Sequence, residues 1–122
     1  MNPTILVVDD ESIIRELLER HLTAMHCTVV TASTGEKAVG LLEEGVKPDL
    51  IFMDVRMPGM GGVKCLERMK HLYRDLTVIM LTAVEDVRVA QNALANGARN
   101  YITKPVDLTT ITEIVNTYLL HV

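Results

Sequence analysis

Four short runs rich in β-branched or long aliphatic residues punctuate the chain: Ile5 to Val8, Cys27 to Val30, Leu50 to Met53 and Val78 to Leu81. Runs of this length and make-up are the pattern of strands buried on both faces, and Asn100 to Thr103 is a weaker fifth. Between them the spacing changes to that of helices. Ile14, Leu17, Leu18, His21, Leu22 and Met25 fall on one stripe of an amphipathic helix, with Ser12 as its expected cap. A second helix is expected to start after Ser33 or Thr34 and to stop at Gly45, with Pro48 excluding any continuation. A third runs from about Gly62 to Leu72 on Val63, Leu66, Met69 and Tyr73. A fourth carries Val87, Ala90 and Leu94 and ends at Gly97, and a fifth carries Leu108, Ile111, Val115, Tyr118 and Leu119.

Five βα units in series imply an α/β fold, a parallel sheet with helices on both faces. No linker, repeat or low-complexity segment interrupts them, and 122 residues make one domain, 1–122. In an open parallel sheet the strands end on one edge, and ligands bind there. The residues that follow the strands therefore carry the functional question. They are Asp9 and Asp10 after the first, Asp54 after the third, Thr82 after the fourth, and Lys104 followed by Pro105 after the fifth. Each alone has a bland reading: a helix cap or turn for Asp10, a small polar strand end for Thr82, a solvated charge for Lys104. All of them together on one edge of one sheet make a site.

Composition narrows its chemistry. The chain is 48% hydrophobic, enough for a core, and holds one Phe, three Tyr and no Trp, which disfavours recognition of single strands by base stacking. Its net charge of −4 has the wrong sign for DNA or RNA. The longest wholly apolar runs fall far short of the ~18 residues of a membrane span. The first run has no basic residue before it and ends at once in Asp9 and Asp10, so it reads as a strand and not as a signal peptide. Cys27 and Cys65 lack metal-ligand spacing and do not form a disulfide framework; as reduced thiols they suit a cytoplasmic protein.

Three carboxylates within ~5 Å repel by roughly 3 kcal/mol per pair at an effective dielectric near 20, and Lys104 is the one local cation. A hard divalent ion would cancel the remainder. Mg²⁺ suits a site with few carboxylates because it keeps several waters and accepts phosphate oxygens, whereas zinc would want His or Cys. Metal, lysine and a threonine hydroxyl describe a cradle for a phosphoryl group, with one carboxylate left as nucleophile, as in aspartyl-phosphate chemistry.

Over its whole length the chain resembles the receiver domain of two-component response regulators. The resemblance rests on Ile5-Leu-Val-Val-Asp-Asp10, on Asp54-Val-Arg-Met-Pro-Gly-Met-Gly-Gly62, on Thr82 and on Thr103-Lys-Pro105. It implies a flavodoxin-like, doubly wound sheet of five strands in the order 2-1-3-4-5 with five helices. Asp54 is the implied phosphoacceptor, Asp10 and Asp54 direct Mg²⁺ ligands, Asp9 a ligand acting largely through water, and the backbone carbonyl of Arg56 a further ligand. Thr82 and Lys104 would bind the phosphoryl group, Tyr101 would be an aromatic switch, and Pro105 a conformational residue. The implied partners are a histidine kinase or phosphotransfer protein as donor and an effector or output domain as receiver of the signal, through a face formed by helix 4, strand 5 and helix 5. No direct contact with nucleic acid or membrane is implied.

The chain departs from the family pattern at Gly61, where Asp or Asn is common; the change removes a cap from helix 3 and is expected to loosen the loop after the acceptor. Arg56 and Val84, two residues beyond the acceptor and the threonine, occupy positions that tune phosphoryl lifetime in the family. Rival readings are weaker. Ser33-Thr34-Gly35-Glu36-Lys37 lacks the spaced glycines of a nucleotide loop. A flavin domain would not place Asp9-Asp10-Glu11 against phosphate, and a metal-dependent phosphatase with an Asp nucleophile would usually have an acid where Arg56 stands. A degenerate receiver acting only as a protein-binding module would not need the acidic set. Met25, His26 and Cys27 read as a helix end entering a strand, and His21 as a partly buried residue of the helical stripe. The expected function is that of a phosphoacceptor switch that catalyses only its own phosphorylation and dephosphorylation.

Overall fold

A computed structural model of the chain describes residues 2–119. The five strands are β1 (Thr4–Val8), β2 (Thr28–Ala32), β3 (Leu50–Asp54), β4 (Val78–Thr82) and β5 (Asn100–Thr103). The helices are α1 (Ser12–Ala24), α2 (Gly35–Glu43), α3 (Gly62–Leu72), α4 (Val87–Ala95) and α5 (Leu108–Tyr118), with a 3₁₀ turn, Val84–Asp86, ahead of α4. All strand pairs are parallel, in the order β2-β1-β3-β4-β5. This is the parallel sheet expected from the alternation of patterns, in the doubly wound order that the family resemblance implies.

Side chains alternate across the strands and fill two cores. Leu6, Val8, Ile51, Met53, Val78 and Met80 meet Leu42, Cys65, Leu66, Met69, Ala90 and Ala93 of α2, α3 and α4. Ile5, Val7, Leu50, Phe52, Ile79 and Leu81 meet Leu18 and Leu22 of α1 and Ile111 and Val115 of α5. β3 and β4 are buried along their whole length because they lie inside the sheet, while β2 and β5 at its edges are only partly covered.

Several local expectations change. Ser12 is not the cap of α1: Glu11 takes that place, no side chain caps the helix, and Ser12 is its first residue. β2 begins at Thr28 and runs on to Ala32, because His26 turns the chain out of α1 with a positive φ of 66°. On α1 the stripe narrows to Leu18 and Leu22 with Ile14 and Met25 at its flanks, leaving Leu17 exposed. α4 packs through Ala90 and Ala93 and leaves Leu94 on the surface. Thr34 does cap α2, its hydroxyl accepting from the Lys37 amide at 3.1 Å. His21 is half-buried and ties α1 to α5 through the Thr112 hydroxyl, 2.8 Å from its Nε2. Among the described residues, no helix is long and apolar enough to cross a membrane.

Candidate functional site

Backbone hydrogen bonds continue the ladders past the strand ends and so fix the residues of the site. The Asp9 amide donates to Ala32, Val55 to Leu81, and Lys104 to Thr82. After β3 the chain must turn sharply into α3, and glycine makes this possible. A Cβ on Gly62 would collide with the Asp54 carbonyl oxygen, and Gly61 holds a positive φ of 74° as the uncapped start of α3. The loop is nonetheless pinned from the side: the Glu36 carboxylate of α2 accepts from the Met60 amide at 3.2 Å.

The geometry gathers Asp9, Asp54 and Lys104. The Lys104 ammonium, 18% exposed, lies 3.1 Å from Asp9 Oδ2, 3.3 Å from Asp54 Oδ2 and 2.9 Å from Glu11 Oε2. Asp9 and Asp54 are buried. Asp54 Oδ1 accepts from the Arg56 amide at 3.3 Å, and Asp9 Oδ1 from the Glu11 amide at 2.9 Å. Thr82 is buried, its hydroxyl donating to the Ala83 carbonyl at 3.0 Å. Tyr101 is half-buried, and its hydroxyl accepts from Gln91 of α4 at 3.4 Å. The Lys104–Pro105 peptide bond is cis.

Asp10 stands apart from this cluster. It is exposed, and one oxygen each from Asp9, Glu11 and Asp54 lie within 4.8 Å of one another instead. Asp10 still lines the same open pocket of about 560 Å³ as Glu11, Asp54, Arg56 and Lys104. Two participants were missed from the sequence. One is Glu11, whose only signal was its place in Asp9-Asp10-Glu11. The other is Asp86, which receives the Arg56 side chain through Nε at 2.7 Å and Nη2 at 2.9 Å.

Crowding perturbs these groups. Burial pushes the Asp54 carboxyl up to about 7, Asp9 pushes it the same way, and Lys104 and the Arg56 amide oppose them. Burial alone would lower the Lys104 ammonium, but the carboxylates of Glu11, Asp9 and Asp54 outweigh it and raise it above its usual value. A buried carboxyl titrating near neutrality beside a lysine in an open pocket is the mark of a functional site.

The donors present fit a hard divalent cation. They are all oxygen, and among the described residues the buried Asp9 Oδ2 meets the Lys104 ammonium at 3.1 Å without a well-aligned hydrogen bond, an ammonium that Asp54 and Glu11 also share.

A five-stranded parallel sheet whose strand ends assemble buried carboxylates, a lysine and a threonine hydroxyl defines a phosphoacceptor domain of the doubly wound class. The chain belongs to the response regulator receiver domain family, whose model matches residues 5–116. It is 34% identical over 119 residues to sporulation initiation phosphotransferase F of Bacillus subtilis, covering 98% of this chain and 95% of that protein. It is 36% identical over 115 residues to the DNA-binding transcriptional regulator NtrC of Klebsiella pneumoniae, covering 94% of this chain and 24% of the relative. The chain thus spans about a quarter of the length of such regulators. Among solved structures, a receiver domain protein from Clostridium thermocellum superposes with a TM-score of 0.90 at 29% identity, over 97% of this chain and 94% of that one. The chemotaxis protein CheY4 of Vibrio cholerae gives 0.88 at 28%, over 98% and 100%. The chain is a receiver domain with the phosphoacceptor role of two-component signalling.

Proposed function

We propose that Asp54 is the residue that takes the phosphoryl group, from a phosphohistidine on a partner kinase or phosphotransfer protein. The observation that carries this reading is the buried Asp54 carboxylate facing Lys104 Nζ at 3.3 Å at the end of a central strand. An Asp54 oxygen forms the new bond to phosphorus as the bond from phosphorus to the histidine nitrogen breaks, and the imidazole leaves with the partner. Lys104 neutralises charge on the transferring oxygens. The Arg56 amide, already donating to Asp54 Oδ1, orients the carboxylate. The Thr82 hydroxyl, which donates to the Ala83 carbonyl, exchanges that bond for one to a phosphoryl oxygen. Asp9, Asp10, Asp54 and the carbonyl of Arg56 are the proposed holders of Mg²⁺, with Glu11 beside them. When bound, that ion supplies a Lewis acid for the phosphoryl oxygens.

On this reading the domain turns over no external substrate and catalyses only its own phosphorylation and dephosphorylation. Residues 1–122 act as a single receiver unit, and Tyr101, tied to α4 through Gln91, reports the modification to the face made by α4, β5 and α5. The domain itself touches neither nucleic acid nor membrane and works in the cytoplasm. The full-length relative that bears the name phosphotransferase supports the transfer step. Incubation with acetyl phosphate and Mg²⁺, followed by intact-mass measurement, should add one phosphoryl group per chain, and chelator should abolish the increment. An increment of equal size in chelator, or none with Mg²⁺, would overturn the proposal.

A further inference from the structure

Arg56 and Asp86 form a bidentate pair across the mouth of the pocket that holds Asp54, Lys104 and Glu11. The pair joins the loop after β3 to the turn that starts α4, two segments that share no strand ladder. Its halves are unequal: the Arg56 side chain is 77% exposed, while that of Asp86 is 7% exposed. The arginine therefore lies largely in solvent, and the aspartate against the protein interior. Asp86, the last residue of the 3₁₀ turn, is also the N-cap residue of α4; its side chain makes no capping bond, and both carboxylate oxygens accept from Arg56. Asp is among the best N-cap residues, its carboxylate normally accepting from the second or third amide of the helix. Here those amides belong to Arg88 and Val89.

A phosphoryl group on Asp54 changes the competition. Among the described residues lining this pocket the cations are Arg56 and Lys104, and Lys104 is already shared by three carboxylates. Arg56 carries the fork of donors that suits a phosphate bidentately, and its own amide sits 3.3 Å from Asp54 Oδ1. We infer that Asp86 is a positioning residue for Arg56: it parks the guanidinium before phosphorylation, yields it to the phosphoryl group afterwards, and then caps α4. One ion pair exchanged for a phosphate contact and a cap would tie the chemistry at Asp54 to the start of α4 without passing through Thr82. The inference rests on Asp54 as acceptor.

The test uses the lifetime of the phosphoryl group and the amide resonances of the whole chain. Asp86→Ala removes the competitor for Arg56 and should lengthen the aspartyl-phosphate half-life about three- to tenfold. Arg56→Ala should shorten it, and in the double variant Asp86→Ala should have no further effect on the half-life, because Asp86 reaches the phosphoryl group only through Arg56. Asp86→Glu should restore the wild-type half-life, and Asp86→Asn repeats the test should the alanine variant not fold. In the nuclear magnetic resonance spectrum, beryllofluoride with Mg²⁺ should move the Arg56 Nε–H and the Val89 amide together. An Asp86→Ala effect of equal size with and without Arg56, or an Arg56 Nε–H unmoved by beryllofluoride, would overturn the inference. Failure of the wild type to be labelled by acetyl phosphate would instead strike the assignment of Asp54.

Discussion

At the scale of single residues, the site is a balance of charge that the protein alone leaves incomplete. Three carboxylates share one lysine, and Asp54 responds by holding its proton up to about pH 7. The sign of the stability effect follows. An acid whose folded pKa lies above its unfolded value binds more protons folded than unfolded, so its contribution is fully present below about pH 4 and is lost as pH rises through about 7. Asp54→Asn keeps the shape and discards the charge. In metal-free buffer at pH 8 it should raise stability by about 1 to 3 kcal/mol after allowance for an effective dielectric near 20, a rise of several degrees in Tm. That gain should vanish near pH 4, and added Mg²⁺ should stabilise the wild type more than the variant. Thermal melts with and without chelator at both pH values check this; a variant no more stable than wild type at pH 8 would contradict it.

The choice of Glu11 over Asp10 as the third member of the cluster shows what could not be read from residue types. Three consecutive acids offer three candidates, and the backbone decides between them. The chain bends at Asp10, and the Glu11 amide donates back to Asp9 Oδ1, which leaves Asp10 exposed while the Glu11 carboxylate meets Lys104 beside Asp9. Asp86 was invisible for a different reason. Its partner Arg56 is thirty residues away, and only the fold brings their loops together.

Among the elements, β4 and α4 are the proposed carriers of the signal. Thr82 ends β4 beside Thr103 of β5, and Tyr101 pairs with Met80 one step away. The Tyr101 ring already contacts the core on the face of α2 to α4, and its hydroxyl holds Gln91. If the Thr82 hydroxyl leaves the Ala83 carbonyl for the phosphoryl group, the loop behind it follows and Tyr101 gains room to turn. Thr82→Ala should therefore still accept phosphate at Asp54 but lose much of the response at Tyr101. Resonances of Tyr101 with and without beryllofluoride check it: equal changes in wild type and variant would remove Thr82 from the coupling, and an unmoved ring in the wild type would remove the switch. Element identity was largely legible, since buried parallel strands must be apolar runs and their helices must show one apolar stripe. Boundaries were less so. The cap of α1 lies in Glu11, which carries no side-chain cap bond and hence no sequence signal, whereas α3 keeps its expected bounds after the capless Gly61.

For the whole molecule, topology does the assembling. Strand order places β1, β3, β4 and β5 side by side, so Asp9, Asp54, Thr82 and Lys104, far apart in the sequence, meet on one edge. Parallel order makes that edge the C-terminal one for every strand, which is why listing the residues after each run already outlined the site. The destination of the phosphoryl group decides what this edge does. Borohydride trapping after reaction with acetyl phosphate and Mg²⁺, followed by peptide mapping, should place the whole label on Asp54 and find none in Asp54→Asn. Label on another residue of the wild type, or undiminished labelling of Asp54→Asn, would contradict it.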